Sequence, residues 1–166
     1  QTKLKRGLTP VSQNWKETAV KKWQKSSLSS LLERPHTPLI RTIDNKNQLW
    51  IGTINGLRIV PSVDSFITET EIQSKAIIIL ENDLAQELFY DQFIIDIAVD
   101  GANRKWVAIA ESGVYLVSAN GQETIYHFTK DNSPLPSDNV NDIEIDGTTG
   151  EVFFATDKGL VSFKGT

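Results

Sequence analysis

The chain repeats one short pattern of residues three times, and this repeat constrains its fold more than any other feature. In each copy an apolar stretch ends in Asp, an aromatic residue follows six or seven residues later, and Gly then precedes Leu or Val. The copies place these residues at Asp44, Trp50 and Gly56, at Asp100, Trp106 and Gly113, and at Asp146, Phe153 and Gly159. The aromatic residues lie 56 and 47 residues apart. A strand-forming unit that recurs about every 40–50 residues is typical of a β-propeller.

Each copy is predicted to form short antiparallel strands joined by tight turns. Period-two alternation before each Asp indicates a first strand with two distinct faces. The residues that share one face are Leu39, Arg41 and Ile43 in the first copy, Ile95, Ile97 and Val99 in the second, and Ile143 and Ile145 in the third. Turns rich in Asp, Asn and Gly then separate a second and a third strand. A fourth strand is expected at 76–80 in the first copy and at 124–128 in the second, which gives the four strands of a propeller blade.

The prediction is therefore an all-β partial β-propeller of about three four-stranded antiparallel blades. Residues 1–166 form one propeller segment. It divides into 1–38 (the outer strand of a preceding blade plus a connector), a blade at 39–92, a blade at 93–138, and three strands of a blade at 139–166. Rings have about four to eight blades, so this segment alone cannot close one. Either it is part of a larger ring, or its N-terminal strand completes the third blade and two chains pair as a homodimer through their open blade edges into a six-bladed ring. Unpaired blade faces would otherwise expose Trp50 and Trp106.

The recurring residues are interpreted as structural. The aromatic residues Trp50, Trp106 and Phe153 are expected to pack one blade against the next. Asp44, Asp100 and Asp146 are expected to cap the turns, and Gly56, Gly113 and Gly159 end the second turn of each copy. Trp15 fits no repeat position and is a candidate contact residue. Further contacts are expected in the loops 62–75 and 83–92, because loops carry function on such scaffolds.

The residues predict no catalytic, metal or cofactor site. The two histidines, His36 and His127, have no recognisable catalytic partners, and two unrelated positions do not make a zinc site. The chain has no Cys and no phosphate-binding loop, and its net charge of −4 argues against nucleic acid. A lysine cluster (Lys16, Lys21, Lys22 and Lys25) is interpreted as a solvated face. No apolar run is long enough to span a membrane, and the absence of Met suggests a piece of a longer polypeptide.

The repeat resembles the two-component-regulator propeller repeat of exported Bacteroidetes-type proteins. Within that group, residues 97–107, 131–137 and 146–154 are similar to the PorZ-like propeller proteins of the type IX secretion system. This resemblance implies a non-enzymatic binding or scaffold module, exported to the periplasm or outer surface of a Gram-negative bacterium, with a protein or surface-glycan partner. The alternatives are the ligand-sensing propeller of a hybrid two-component regulator and a propeller enzyme with converging carboxylates or a metal in its channel.

Overall fold

The computed structural model describes residues 40–81 and 83–165, which form twelve strands and one short helix. The strands are β1 (Ile40–Ile43), β2 (Leu49–Thr53), β3 (Gly56–Val60), β4 (Ile78–Glu81), β5 (Leu84–Glu87), β6 (Ile94–Val99), β7 (Lys105–Ile109), β8 (Gly113–Val117), β9 (Thr124–Phe128), β10 (Val140–Ile145), β11 (Val152–Thr156) and β12 (Gly159–Phe163), and α1 is Ser65–Thr68. The predicted N-terminal outer strand lies outside the described residues, as do Trp15, His36 and the lysine cluster.

Three antiparallel sheets form the blades. Blade 1 has the order β1-β2-β3, blade 2 the order β6-β7-β8-β9, and blade 3 the order β10-β11-β12. The first strand of each blade contacts the first strand of the next, β1 against β6 and β6 against β10. These first strands therefore lie along the propeller axis, and the later strands lie progressively farther out. The predicted partial β-propeller is confirmed.

Only blade 2 has four strands within the described residues. The predicted fourth strand of blade 1 at 76–80 is wrong, because only Lys75 pairs with Ile59. The chain then leaves the sheet, and β4 pairs with β5 as a separate hairpin. An ion pair between Arg58 and Glu87 holds the base of this hairpin on blade 1. The residues predicted as a strand do form one, but their partner is the following strand.

The predicted alternation in the first strand of blade 2 holds for Ile97 and Val99, which pair with Val107 and Lys105 on one face, but is wrong for Ile95. A register shift between Ile94 and Asp96 inserts one extra residue opposite β7, and such a bulge changes the face on which later side chains lie. Ile94 and Ile97 consequently pack with Trp50 towards blade 1. Ile95 packs instead into the cluster that lies between blades 2 and 3.

Apolar clusters between the blades make up most of the core. Trp50 of blade 1 is buried among Ile97, Val107 and Ile109 of blade 2. Trp106 of blade 2 is buried against Val152 and Phe154 of blade 3. The expectation that open faces would expose these two tryptophans is therefore wrong, because each lies inside a blade–blade interface.

Candidate functional site

The three recurring aspartates make the same local contact. One side-chain oxygen accepts a hydrogen bond from the backbone N–H two residues on, at 2.9 Å from Lys46 to Asp44, 3.0 Å from Ala102 to Asp100 and 2.8 Å from Thr148 to Asp146. An aspartate that bonds its own following backbone in this way closes a tight turn. The second oxygens of Asp100 and Asp146 accept hydrogen bonds from Arg104 and Thr149 of their own turns. Asp44 differs because its second oxygen is bonded by residues of the next blade.

A buried polar network joins blade 1 to blade 2 at Asp44. Its Oδ2 accepts hydrogen bonds from Lys105 Nζ at 2.8 Å, Asn103 Nδ2 at 3.2 Å and Trp50 Nε1 at 3.3 Å. The Lys105 ammonium also donates to the carbonyls of Asn103 (2.9 Å) and Ala119 (2.7 Å), and lies 4.3 Å from the centre of the Trp50 ring. Each of its three protons thus has an acceptor, so this lysine is held as an ion-pair partner and is not poised as a nucleophile.

The ionisation of this network follows from its contacts. Burial alone would raise the pKa of Asp44, but hydrogen bonds from Lys105 and from the backbone N–H groups of Gln48 and Lys46 outweigh it and lower the pKa to about 2. Burial lowers the pKa of Lys105, and the hydrogen bond and charge of Asp44 oppose that lowering. The pair is therefore ionised and locked at neutral pH, as a buried pair with satisfied hydrogen bonds requires.

The equivalent aromatic positions of the three blades have different surroundings. Trp106 stacks on Phe128 with ring centres 6.1 Å apart, and its indole N–H has no hydrogen-bond partner among the described residues. Asp100, which occupies the place of Asp44, instead pairs with Arg104 at 2.7 Å. Phe153 is partly buried, because its face of blade 3 points away from blade 2.

Two of the three recurring glycines are required by a close approach of backbone. Gly56 has φ of +115° and Gly113 has φ of +76°, and a Cβ at Gly113 would lie 2.1 Å from the Phe128 carbonyl oxygen. A Cβ at Gly56 would lie 2.6 Å from the Phe89 carbonyl oxygen. Gly159 has φ of +148° and no such neighbour. A side chain at Gly56 or Gly113 would therefore collide with the backbone that packs on its turn, at Phe89 and Phe128 respectively.

The axial strands carry an uneven distribution of charge. Arg41 of β1 is exposed, and so are Asp142 and Glu144 of β10. Asp96 of β6 lies between them and accepts a hydrogen bond from the backbone N–H of Ile143 at 2.7 Å. Burial raises the pKa of the Asp96 carboxyl, the hydrogen bonds from Ile143 and Ile97 act against this, and the charges of Asp142 and Glu144 raise it further. Asp96 therefore ties blade 2 to blade 3.

The described side chains include no cluster suited to a metal ion, and their one histidine is engaged in packing. Within residues 40–81 and 83–165 no three His, Cys, Asp or Glu side chains are placed to hold a metal ion. His127 stacks on Tyr115 with ring centres 3.8 Å apart, and its Nε2 lies 2.8 Å from the Ser112 carbonyl oxygen. This histidine is committed to packing in the outer part of blade 2.

Two exposed apolar side chains lie on one face of the β4–β5 hairpin, because Ile78 and Leu80 are two residues apart in β4. We name Ile78 and Leu80 the hairpin surface; their exposed fractions are 52% and 78%. Leu84, which is 68% exposed, pairs with Glu81 and lies on the other face. The predicted contact segment 83–92 includes part of this hairpin, but its Leu88 and Phe89 pack inward against blade 2. The other predicted loop, 62–75, packs Ile72, Val63 and Phe66 on blade 1, while its residues 67–71 are exposed. The hairpin surface is thus the best candidate for a contact with a partner.

Sequence reasoning missed the buried network. Lys105 interrupts an otherwise apolar second strand, where the other copies have Leu49 and Val152. A charged residue at one copy of a core position is a signal that it has a buried partner. That signal does not identify Asp44, which lies 61 residues earlier in the chain.

The fold and contacts together define this chain as part of a β-propeller. No protein-family profile matches it, and no curated protein matches it. Among solved structures it is similar to PorZ, a bacterial surface component of the type IX secretion system of Porphyromonas gingivalis, with a TM-score of 0.71 and 25% identity over 75% of this chain. The resemblance seen in the sequence is thus confirmed at the level of structure.

Two further solved structures share the fold. They are extracellular domains of proposed hybrid two-component systems from B. thetaiotaomicron, with TM-scores of 0.58 and 0.55 and identities of 21% and 17% over 78% and 75% of this chain. The chain covers 17% of the PorZ chain and 16% of each of the other two, about a sixth of their length. No helix in the described part of the chain is long and apolar enough to cross a membrane.

Proposed function

We propose that this chain is a non-catalytic propeller module of an exported bacterial surface protein, and that it supports type IX protein secretion by binding a protein partner. The observation that carries the proposal is the similarity to PorZ, which combines a TM-score of 0.71 with 25% identity. The described side chains agree with it, since the ionisable groups that are buried are engaged in interblade contacts.

The hairpin surface is the proposed contact. It projects two apolar side chains from one face of the β4–β5 hairpin, and exposed apolar groups of this kind are typical of protein-binding sites. Its acidic residues Glu81 and Glu87 are occupied within the hairpin region, by Gln86 at 2.8 Å and by Arg58. The partner therefore meets a mainly apolar surface with an acidic border.

The test replaces Ile78 and Leu80 together by Glu in the source bacterium and measures the export of a type IX cargo protein. Loss of two contact side chains is expected to weaken the binding of the partner at least about tenfold, so cargo accumulates inside the cells. Ile67→Glu, at a residue that is 83% exposed on another element, is the matched control. Unchanged export, with the variant present at its normal level, would contradict the proposal.

A sensory role is the second candidate, because two similar structures are extracellular domains of two-component systems. In that case the module binds an oligosaccharide or another nutrient and has no effect on export. Calorimetric titration of the chain with an oligosaccharide panel separates the two. Saturable binding together with normal export favours the sensor, whereas defective export without glycan binding favours secretion.

A further inference from the structure

One face of blade 1 is covered by the chain's own segment 62–75. Leu49, Ile51 and Val60 form an apolar cluster on this face together with Ile72 of the segment. Val63 and Phe66 pack against the same cluster. Ile72 is fully buried, although most of its neighbours in the segment are exposed.

In blades 2 and 3, the equivalent face packs against the preceding blade. Leu49 and Ile51 flank Trp50 in β2, as Lys105 and Val107 flank Trp106 in β7 and Val152 and Phe154 flank Phe153 in β11. In blade 2 the flanking residues lie against Trp50 and Asp44 of blade 1. In blade 3 they lie against Trp106 of blade 2. In blade 1, the side chains of 62–75 occupy that place.

The segment is fixed to blade 1 at both of its ends. At one end the Val63 N–H donates to the Asn47 carbonyl oxygen at 2.9 Å, and Asn47 Nδ2 donates to Asp64 Oδ2 at 3.1 Å. At the other end Ile59 and Lys75 exchange two backbone hydrogen bonds of 2.8 Å. The outer side of the segment is polar: residues 67–71 are exposed and have the sequence Ile-Thr-Glu-Thr-Glu.

We infer that segment 62–75 is a cap that ends blade stacking on this side of blade 1. An apolar inner side and a polar outer side are what a terminal unit of a repeat protein needs, because its last packing face must meet water. A further blade could therefore not pack on Leu49 and Ile51, in the way that blade 2 packs on blade 1, without displacing this segment. Among residues 40–81 and 83–165, no tryptophan takes the interblade place on this face.

Single-cysteine labelling tests this inference, because the chain contains no cysteine. Ile72→Cys and Val63→Cys place a thiol under the cap, and Ile67→Cys is the matched control on its outer side. Each variant is treated with a maleimide, both in this chain and in the polypeptide as the cell makes it, with labelling in urea as the reference for full exposure. A thiol that reacts only through local opening is expected to be at least about a hundredfold slower than a free one.

The expected result is slow labelling of Ile72→Cys and fast labelling of Ile67→Cys in both settings. Fast labelling of both Ile72→Cys and Val63→Cys in a folded chain would show that the segment does not cover the face. Protection of Ile67→Cys in the cellular polypeptide would show that another blade lies over the segment. Either of these results overturns the inference.

Discussion

At the scale of the residue, the ion pair between Asp44 and Lys105 gives the sharpest test of how blades 1 and 2 are joined. Its Nζ–Oδ2 distance is 2.8 Å and both side chains are fully buried. Removing one partner leaves the other charge buried and unpaired, so Asp44→Asn or Lys105→Met alone is expected to cost about 3–5 kcal/mol. The double variant should cost clearly less than the sum, because apolar residues occupy the place of Lys105 in the other blades.

Urea denaturation of the wild type, both single variants and the double variant measures this coupling directly. The comparison needs m-values that agree among the four proteins, so that the differences report stability and not a change in the unfolded state. Purely additive costs would show that Asp44 and Lys105 act independently, contrary to the geometry.

The same carboxylate predicts a loss of stability in acid. The pKa of Asp44 is about 2 in the folded chain against an ordinary value of 3.8. Its contribution is fully present above the unfolded value and disappears as the pH falls from about 4 towards 2, by about 2 kcal/mol in total. The measurement is the urea midpoint of the wild type and Asp44→Asn across this range. The difference between the two proteins should shrink as the pH falls; a constant difference would contradict the assignment.

At the scale of the element, the turn that ends at Gly113 depends on the absence of a side chain. Gly113→Ala would place Cβ 2.1 Å from the Phe128 carbonyl oxygen at a φ of +76°, so we expect it to cost at least about 2 kcal/mol. Gly147→Ala is the matched control, because Gly147 has open space around it. Thermal unfolding of the two variants is the measurement, and equal midpoints would contradict this role of Gly113.

The elements also show which features the sequence could predict. The strands around Trp50, Trp106 and Phe153 were predictable because the same pattern occurs three times in the sequence. A strand assigned in one copy is therefore evidence for the equivalent strand in the other two. The partner of the strand at 78–81 was not predictable, since an apolar run looks the same whether it pairs with β3 or with β5. The cap was missed for a related reason: Ile72 is one buried residue in a polar segment, and its contact with Leu49 and Ile51 is tertiary.

At the scale of the whole molecule, the two end faces differ. The face of blade 1 is covered by segment 62–75. At the other end Leu160 is 67% exposed, Ser162 is exposed and Phe153 is partly buried. Within residues 40–81 and 83–165, no strand pairs with the outer edge of β12. A chain with one covered face and one open face does not build a six-bladed ring from two copies, because such a ring uses both faces of each copy.

We therefore expect this chain to dimerise through a single twofold contact at β12, since an unpaired edge next to exposed apolar groups favours strand addition. Light scattering over a concentration series should give a mass that rises towards twice 18.5 kDa. Leu160→Lys combined with Ser162→Lys places charges beside this edge and should keep the chain monomeric, whereas the control Leu84→Lys on the β4–β5 hairpin should not. A wild type that stays monomeric, or a double variant that dimerises equally well, would contradict a contact at β12. Larger assemblies in the wild type would instead indicate that the face of blade 1 is also available, which is the result that the cap excludes.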